Sequence, residues 1–157
     1  MTVEDISAVT RLIGRAMNQD EAGQAQKTFG FHFTCQRHDL NDGRRYFVLD
    51  RDGRIDGVVG LHQYLWGPPQ NVWLAWFAVD PDHQKRGLGR QMLKFACRLA
   101  KQFGYMKIFI ETYSTPEFAK ARAFYRTMGF FHVGSVESYL PAGGDMVVYC
   151  KDLTTHA

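Results

Sequence analysis

Cysteine is scarce: Cys35, Cys97 and Cys150 are the three in a chain of 157 residues. Their number is odd, their spacing is wide and no CxxC occurs, so the sequence indicates neither a disulfide framework nor a zinc site. A reducing compartment is expected, and with it a cytoplasmic location. Long apolar runs are missing too. None approaches the ~18 residues of a spanning helix, and residues 1–7 hold no basic stretch followed by an apolar one. The expectation is a soluble, unexported protein. Charge of one sign is weak: 19 Lys and Arg against 16 Asp and Glu leave a net +3, too slight and too dispersed for a nucleic-acid platform. Neither a repeat nor a low-complexity tract is present, and Gly and Pro fall singly between periodic segments as turn punctuation.

What remains is ordinary globular material. With 45% hydrophobic and 22% charged residues, disordered, collagen-like and coiled-coil chains are excluded, and the length suits a single domain over 1–157. Ile6, Val9, Leu12, Ile13, Ala16 and Met17 recur at helical spacing and predict a first amphipathic helix. From 18 to 41 the pattern breaks up. Phe29, Phe31 and Phe33 alternate in a Gln- and Gly-containing stretch, read as a short second helix followed by an irregular approach to a sheet. Residues 45–50 and 55–64 predict a β-hairpin around Asp52-Gly53. Residues 72–79, nearly all apolar, read as a central strand buried on both faces. A long helix over 88–103 closed by Gly104, a strand at 107–112, a helix at 119–128 closed by Gly129, and strands at 130–136 and 146–151 complete a mixed α/β layer structure.

Between the central strand and the long helix lies Val79-Asp80-Pro81-Asp82-His83-Gln84-Lys85-Arg86-Gly87-Leu88-Gly89-Arg90. Gly87 and Gly89 let backbone approach a ligand closely at a helix N-terminus, and Lys85, Arg86 and Arg90 add positive charge. Such a loop suits a pyrophosphate, or it is a helix start that needs only a flexible turn and solvated charge. Two other Gly-rich readings fail: GxxxxGK[ST] is absent, and GxGxxG would need Gly where Met92 stands.

Gln84-Lys85-Arg86-Gly87-Leu88-Gly89 resembles the (Arg/Gln)-x-x-Gly-x-(Gly/Ala) signature of the GCN5-related N-acetyltransferase (GNAT) superfamily. Ala121-Arg122-Ala123-Phe124-Tyr125-Arg126-Thr127-Met128-Gly129-Phe130 resembles its A-x-x-F-Y-x-x-x-G-F helix end. The resemblance covers roughly 45–151. It implies a mixed, mostly antiparallel sheet whose central parallel strands, 72–79 and 107–112, splay apart, flanked by helices. It also implies acetyl-CoA as acyl donor, without a metal: pantetheine against the backbone of Phe77, Ala78 and Val79, pyrophosphate on residues 84–90, and contacts from Thr115 and Phe124. A backbone amide of 77–79 would face the thioester carbonyl.

For catalysis the resemblance implies Tyr125 as general acid to the departing thiolate; the alternative is an aromatic packed beside Phe124. Relatives often carry a Glu on the central strand, and this strand has no ionisable residue. Glu111 is the candidate base, with His62 and Tyr64 as others, and a solvated or ion-paired role as its alternative. Relatives often have an Asn where Phe118 stands. The acceptor is expected at the N-terminal segment and the turn at 64–72, where Trp66, Trp73, Trp76, Phe31, Phe33, Glu117, Asp39 and Asp42 are candidates, or core and solvated residues. The expected function is acetyl transfer from acetyl-CoA to a primary amine of a small molecule by direct attack in a ternary complex. Alternatives are a protein or peptide N-acetyltransferase, acting on an N-terminal amine or lysine, and a non-catalytic acyl-CoA-binding module. The expected partners are the amine and, as an option, a second copy in a homodimer, with neither nucleic acid nor membrane.

Overall fold

In the computed structural model, which describes residues 1–154, helices α1 (Ile6–Ala16) and α2 (Gln19–Arg37) lead into strands β1 (Arg44–Arg51), β2 (Arg54–His62) and β3 (Asn71–Val79). Helix α3 (Leu88–Gln102), strand β4 (Lys107–Tyr113), helix α4 (Ala119–Thr127) and strands β5 (Phe131–Val136) and β6 (Met146–Asp152) follow. One mixed sheet of order β1-β2-β3-β4-β6-β5 results, antiparallel except for β3 beside β4. The expected strands lie within a residue or two of their predicted ends. Asp52 and Gly53 both take positive φ at the β1–β2 turn, the conformation a two-residue hairpin turn needs.

The sheet buries a different cluster on each face. Val9, Leu12 and Ile13 of α1 and Ala25 and Phe29 of α2 pack with Tyr46, Val58 and Ala78 on one side. Leu93, Ala96 and Ala100 of α3 and Tyr125 and Met128 of the α4 region pack with Val59, Val72, Ile108 and Ile110 on the other. At roughly 1.5–3 kcal/mol per fully buried large aliphatic or aromatic side chain, these two layers supply most of the drive to fold.

Two expectations need correction. The segment from 18 to 41 is one long helix for most of its length, because Ala22, Ala25, Phe29, His32 and Cys35 fall on one face and are buried. Asn18 caps it by accepting the Glu21 amide at 2.8 Å. The central strand is not buried on both faces throughout: Trp73 to Phe77 are half-buried, because the sheet opens beside them.

Candidate active site

Strands β3 and β4 pair only at Asn71–Lys107, Val72–Ile108 and Trp73–Phe109. Beyond that point they part. The outer edge of β4 stays paired with β6 along its whole length, and β2 follows β3 to Val79. The backbone groups on the two facing inner edges therefore have no strand partner across the gap. A bulge helps to open it: between the pairs Val58–Ala78 and Gly60–Ala75, the two residues Trp76 and Phe77 stand opposite Val59 alone. A bulged strand bends, and this bulge lies within the stretch of β3 that no longer pairs with β4. The gap continues into a cavity of about 990 Å³. Gln84, Lys85, Gly87, Gly89, Arg90 and Phe124 line it towards α3, and Glu21, Gln24, Thr28, Arg44, Tyr46 and His62 towards α2.

The loop from β3 to α3 is held from below. Asp80 accepts the Asp82 amide at 2.9 Å and starts a single tight turn, Pro81–His83. Arg15 of α1 reaches Asp80 at 3.1 Å and Asp82 at 2.8 Å. Asp56, fully buried under Arg51 and Arg54, takes hydrogen bonds from both, and its carbonyl accepts the Asp80 amide at 2.9 Å. Burial alone would raise the Asp56 pKa, but the two arginines hold it below the usual carboxylate range. Above this base, Lys85 and Gly87 adopt positive φ (61° and 81°), and Gly87 opens α3 without a side-chain cap. The first intrahelical bond is Gln91 to the Gly87 carbonyl at 3.0 Å. The amides of Leu88, Gly89 and Arg90 are thus unclaimed by the helix and lie at its positive end. Lys85 and Arg90 add charge at the same place, so the cradle fits a multiply charged phosphate ester.

Each residue expected at the site can be placed. Phe77, Ala78, Val79, Gln84, Lys85, Gly87, Gly89, Arg90, Glu111, Phe124 and Tyr125 all line the one cavity. Arg86 is exposed beside it, and the Leu88 side chain packs on the core, which leaves only its amide to serve. Thr115 is not among the lining residues. Its Oγ1 is buried without a hydrogen-bond partner among the described residues, and its methyl lies 2.7 Å from where a Cβ on Gly144 would be. Gln84 Nε2 donates to the Val79 carbonyl at 3.1 Å, so this side chain closes the loop on the strand end. Phe77 and Phe124 stack at 6.1 Å beside Gly89, whose added Cβ would meet them at 3.7–3.8 Å.

Tyr125 is 7% exposed, ringed by Phe77, Phe124, Phe130 and Tyr149, with burial pushing its phenol pKa up. It therefore stays protonated across the physiological range. Glu111 is reached by water in the open cleft, yet the surrounding walls remove enough solvation to raise its pKa. His62 is pushed down to about 4 by burial and by the charge of Arg44, and so is neutral near pH 7.

Several residues of the cleft had no signal in the sequence. Glu21, Gln24, Thr28, Arg44 and Tyr46 enter it only because α2 packs over the face of the sheet formed by β1, β2 and β3. Arg122 hydrogen-bonds the carbonyls of Tyr113 and of Thr115 (2.9 Å), tying the end of β4 to α4. Phe118, in the place where relatives often have Asn, packs edge-on against Tyr113 at 5.2 Å. Of the acceptor candidates, Trp76 and Glu117 line the cavity. Asp42 instead lies buried, bonded to His32 at 2.9 Å, and Phe31 points outward.

The chain matches the Acetyltransferase (GNAT) family over residues 12–130. It is 33% identical over 125 residues to an amino-acid acetyltransferase of Mannheimia succiniciproducens, covering 78% of this chain and 26% of that protein, so it spans about a quarter of that relative's length. A ribosomal protein bS18-alanine N-acetyltransferase of Escherichia coli is 27% identical over 118 residues, covering 74% of this chain and 76% of that one. A solved structure of a GNAT-family protein from Desulfovibrio desulfuricans superposes with TM-score 0.87 at 23% identity, over 98% of this chain and 95% of that one. An aminoglycoside 6'-N-acetyltransferase complexed with coenzyme A superposes at 0.77 with 12% identity, over 99% and 94%. The family match over most of the chain, the sheet that parts between β3 and β4 and the glycine loop at the start of α3 converge: this chain is a member of the GNAT family of acetyltransferases.

Proposed function

We propose that this protein transfers an acetyl group from acetyl-CoA to a primary amine of a small molecule, by direct attack in a ternary complex. The observation that carries the reading is a single cavity with a phosphate-suited helix start at one end, unpaired β3 backbone in the middle, and Glu111 and Tyr125 both on its walls. The donor is a reactive thioester, which supplies the acyl group. The amides of Leu88, Gly89 and Arg90 with Lys85 and Arg90 hold its pyrophosphate, and the free edge of β3 at Phe77, Ala78 and Val79 hydrogen-bonds its pantetheine arm. An amide of this stretch stabilises charge developing on the thioester oxygen.

Glu111 takes the proton of the incoming ammonium, and its raised pKa makes it a better base than an ordinary glutamate. As the new C–N bond forms and the C–S bond breaks, Tyr125 gives its proton to the sulfur. No cysteine is needed as an acyl carrier: Cys97 is partly buried and its thiol pKa is pushed up, which leaves it a poor nucleophile. The test is release of CoA thiol from acetyl-CoA in the presence of amino acids, polyamines, aminoglycosides and short peptides. Release with free small amines supports the reading. Release with peptides alone moves the acceptor to a protein terminus, for which the resemblance to the bS18-alanine enzyme gives the precedent, and binding of acetyl-CoA without transfer to any amine ends the transferase reading.

A further inference from the structure

On the sheet face covered by α1 and α2, Tyr46 of β1 pairs with Gly60 of β2, which pairs with Ala75 of β3. Glycine at 60 is what lets the Tyr46 ring lie across β2. A Cβ there would sit 2.5 Å from the ring and 3.1 Å from the Ala75 side chain. Phe29 at 4.8 Å and His32 at 5.1 Å, both edge-on, fix the ring from the helix side. The hydroxyl of this residue, which is 5% exposed, nevertheless has no hydrogen-bond partner among the described residues. A buried phenol is ordinarily paired, and Tyr46 lines the cavity.

Its neighbours there are Arg44 and His62, each on the same wall. Arg44 gives one N–H to Asp42 at 3.3 Å, and its guanidinium lies close enough to the Tyr46 phenol to act on it by charge and as a hydrogen-bond donor. Asp42 also holds His32 at 2.9 Å. Beside the cavity this side therefore holds a phenol whose buried hydroxyl has no acceptor among the described residues, next to a guanidinium. The cavity also holds charge of the opposite sign. Glu111 lies two residues beyond the last β3–β4 pair, as Ala75 does on β3, so Tyr46, Gly60, Ala75 and Glu111 fall on one row across the sheet. Glu21 and Glu117 line the cavity near Glu111, close enough that both Glu111 and Glu117 help to raise the Glu21 pKa.

Resting on the transferase reading above, we propose that Tyr46 and Arg44 form a carboxylate subsite, so that the acceptor is an amine that also carries a carboxylate. The ammonium end sits towards Glu111. The carboxylate accepts the Tyr46 hydroxyl proton and a charge-assisted bond from Arg44. An amine lacking the carboxylate leaves the buried Tyr46 hydroxyl without an acceptor and Arg44 with only Asp42, and a polar site discriminates most strongly when a buried group is left unpaired.

The experiment compares kcat/KM for amino acids and their decarboxylated amines: alanine with ethylamine, phenylalanine with phenethylamine, lysine with cadaverine. In the unaltered protein the best pair is expected to favour the acid at least a hundredfold. Tyr46→Phe, which keeps the ring, is expected to narrow that ratio at least tenfold, mainly through KM of the acid. A purely structural role for the hydroxyl would lower both members alike. An unchanged ratio in Tyr46→Phe, or preference for the carboxylate-free amines in the unaltered protein, overturns the subsite while the transferase stands. Absence of turnover with every amine, with acetyl-CoA bound by calorimetry, overturns the transferase reading and the subsite with it.

Discussion

A phenol enclosed as Tyr125 is enclosed carries its proton at any pH the protein meets, which is the state an acid for a departing thiolate requires. Tyr125→Phe keeps the packing and removes the proton. Turnover is expected to fall at least tenfold with acetyl-CoA affinity changed by less than twofold; equal turnover would remove Tyr125 from the mechanism. As the proposed base Glu111 would act in its ionised form, so the rate should fall as pH drops through its pKa, at a value above that of an ordinary glutamate because the cleft desolvates it. In Glu111→Gln that acid limb of the kcat/KM profile should disappear. His62 governs stability with the opposite charge type. Its pKa is near 4 in the fold against 6.5 in the free residue, so between those values the unfolded chain binds more protons and stability rises with pH. The contribution, on the order of 2 kcal/mol after allowing for partial exposure, is present above pH 6.5 and lost on acidification towards 4. Denaturant melts of His62→Gln against the parent over this window should show a shallower pH dependence in the variant.

At the scale of the element, the loop into α3 does its work through backbone. Gly89 has only ordinary contacts around an added Cβ, at 3.7–3.8 Å, so the fold itself tolerates a side chain there. A carboxylate at this place, beside amides that await phosphate oxygens, should not be tolerated by the ligand. Gly89→Glu is expected to keep its melting temperature within a few degrees and to weaken acetyl-CoA binding at least a hundredfold by calorimetry; a folded variant that binds as the parent does would displace the pyrophosphate from this loop. Helix α2 illustrates the limit of pattern reading. Its buried face is built from Ala22, Ala25, Phe29, His32 and Cys35, small or polar residues apart from one, with His32 made tolerable by Asp42. The apolar signal is therefore faint, and Phe29, Phe31 and Phe33 alternate rather than recur at helical spacing. Phe31 in fact lies 58% exposed on the outer face.

Across the whole molecule the sheet separates two cores, one against α1 and α2 and one against α3 and α4, and the cavity is lined by residues of both, so a ligand filling it would touch each. Acetyl-CoA at a hundred times its dissociation constant should add about 2.7 kcal/mol. For a domain of this size that corresponds to a rise in melting temperature of roughly 5–10 °C. A thermal shift titration reads it directly, and a flat titration would count against occupancy of the cleft. The local features were legible without coordinates: the hairpin at Asp52-Gly53, the glycine loop, the F-Y helix end and the strands themselves, because turn chemistry, glycine and apolar periodicity act between residues near in sequence. The sequence by itself thus determined the layered fold, the family and the glycine loop at one end of the cleft. At the other end it named Glu111 and His62 as candidates, and the tertiary structure decided which residues join them. Glu21, Arg44, Tyr46, His62 and Glu111 meet there because β3 and β4 part beyond Trp73–Phe109 and because Gly60 leaves room for a tyrosine to lie across a strand. Those are consequences of sheet register and close packing between distant segments, which no local pattern in the chain encodes.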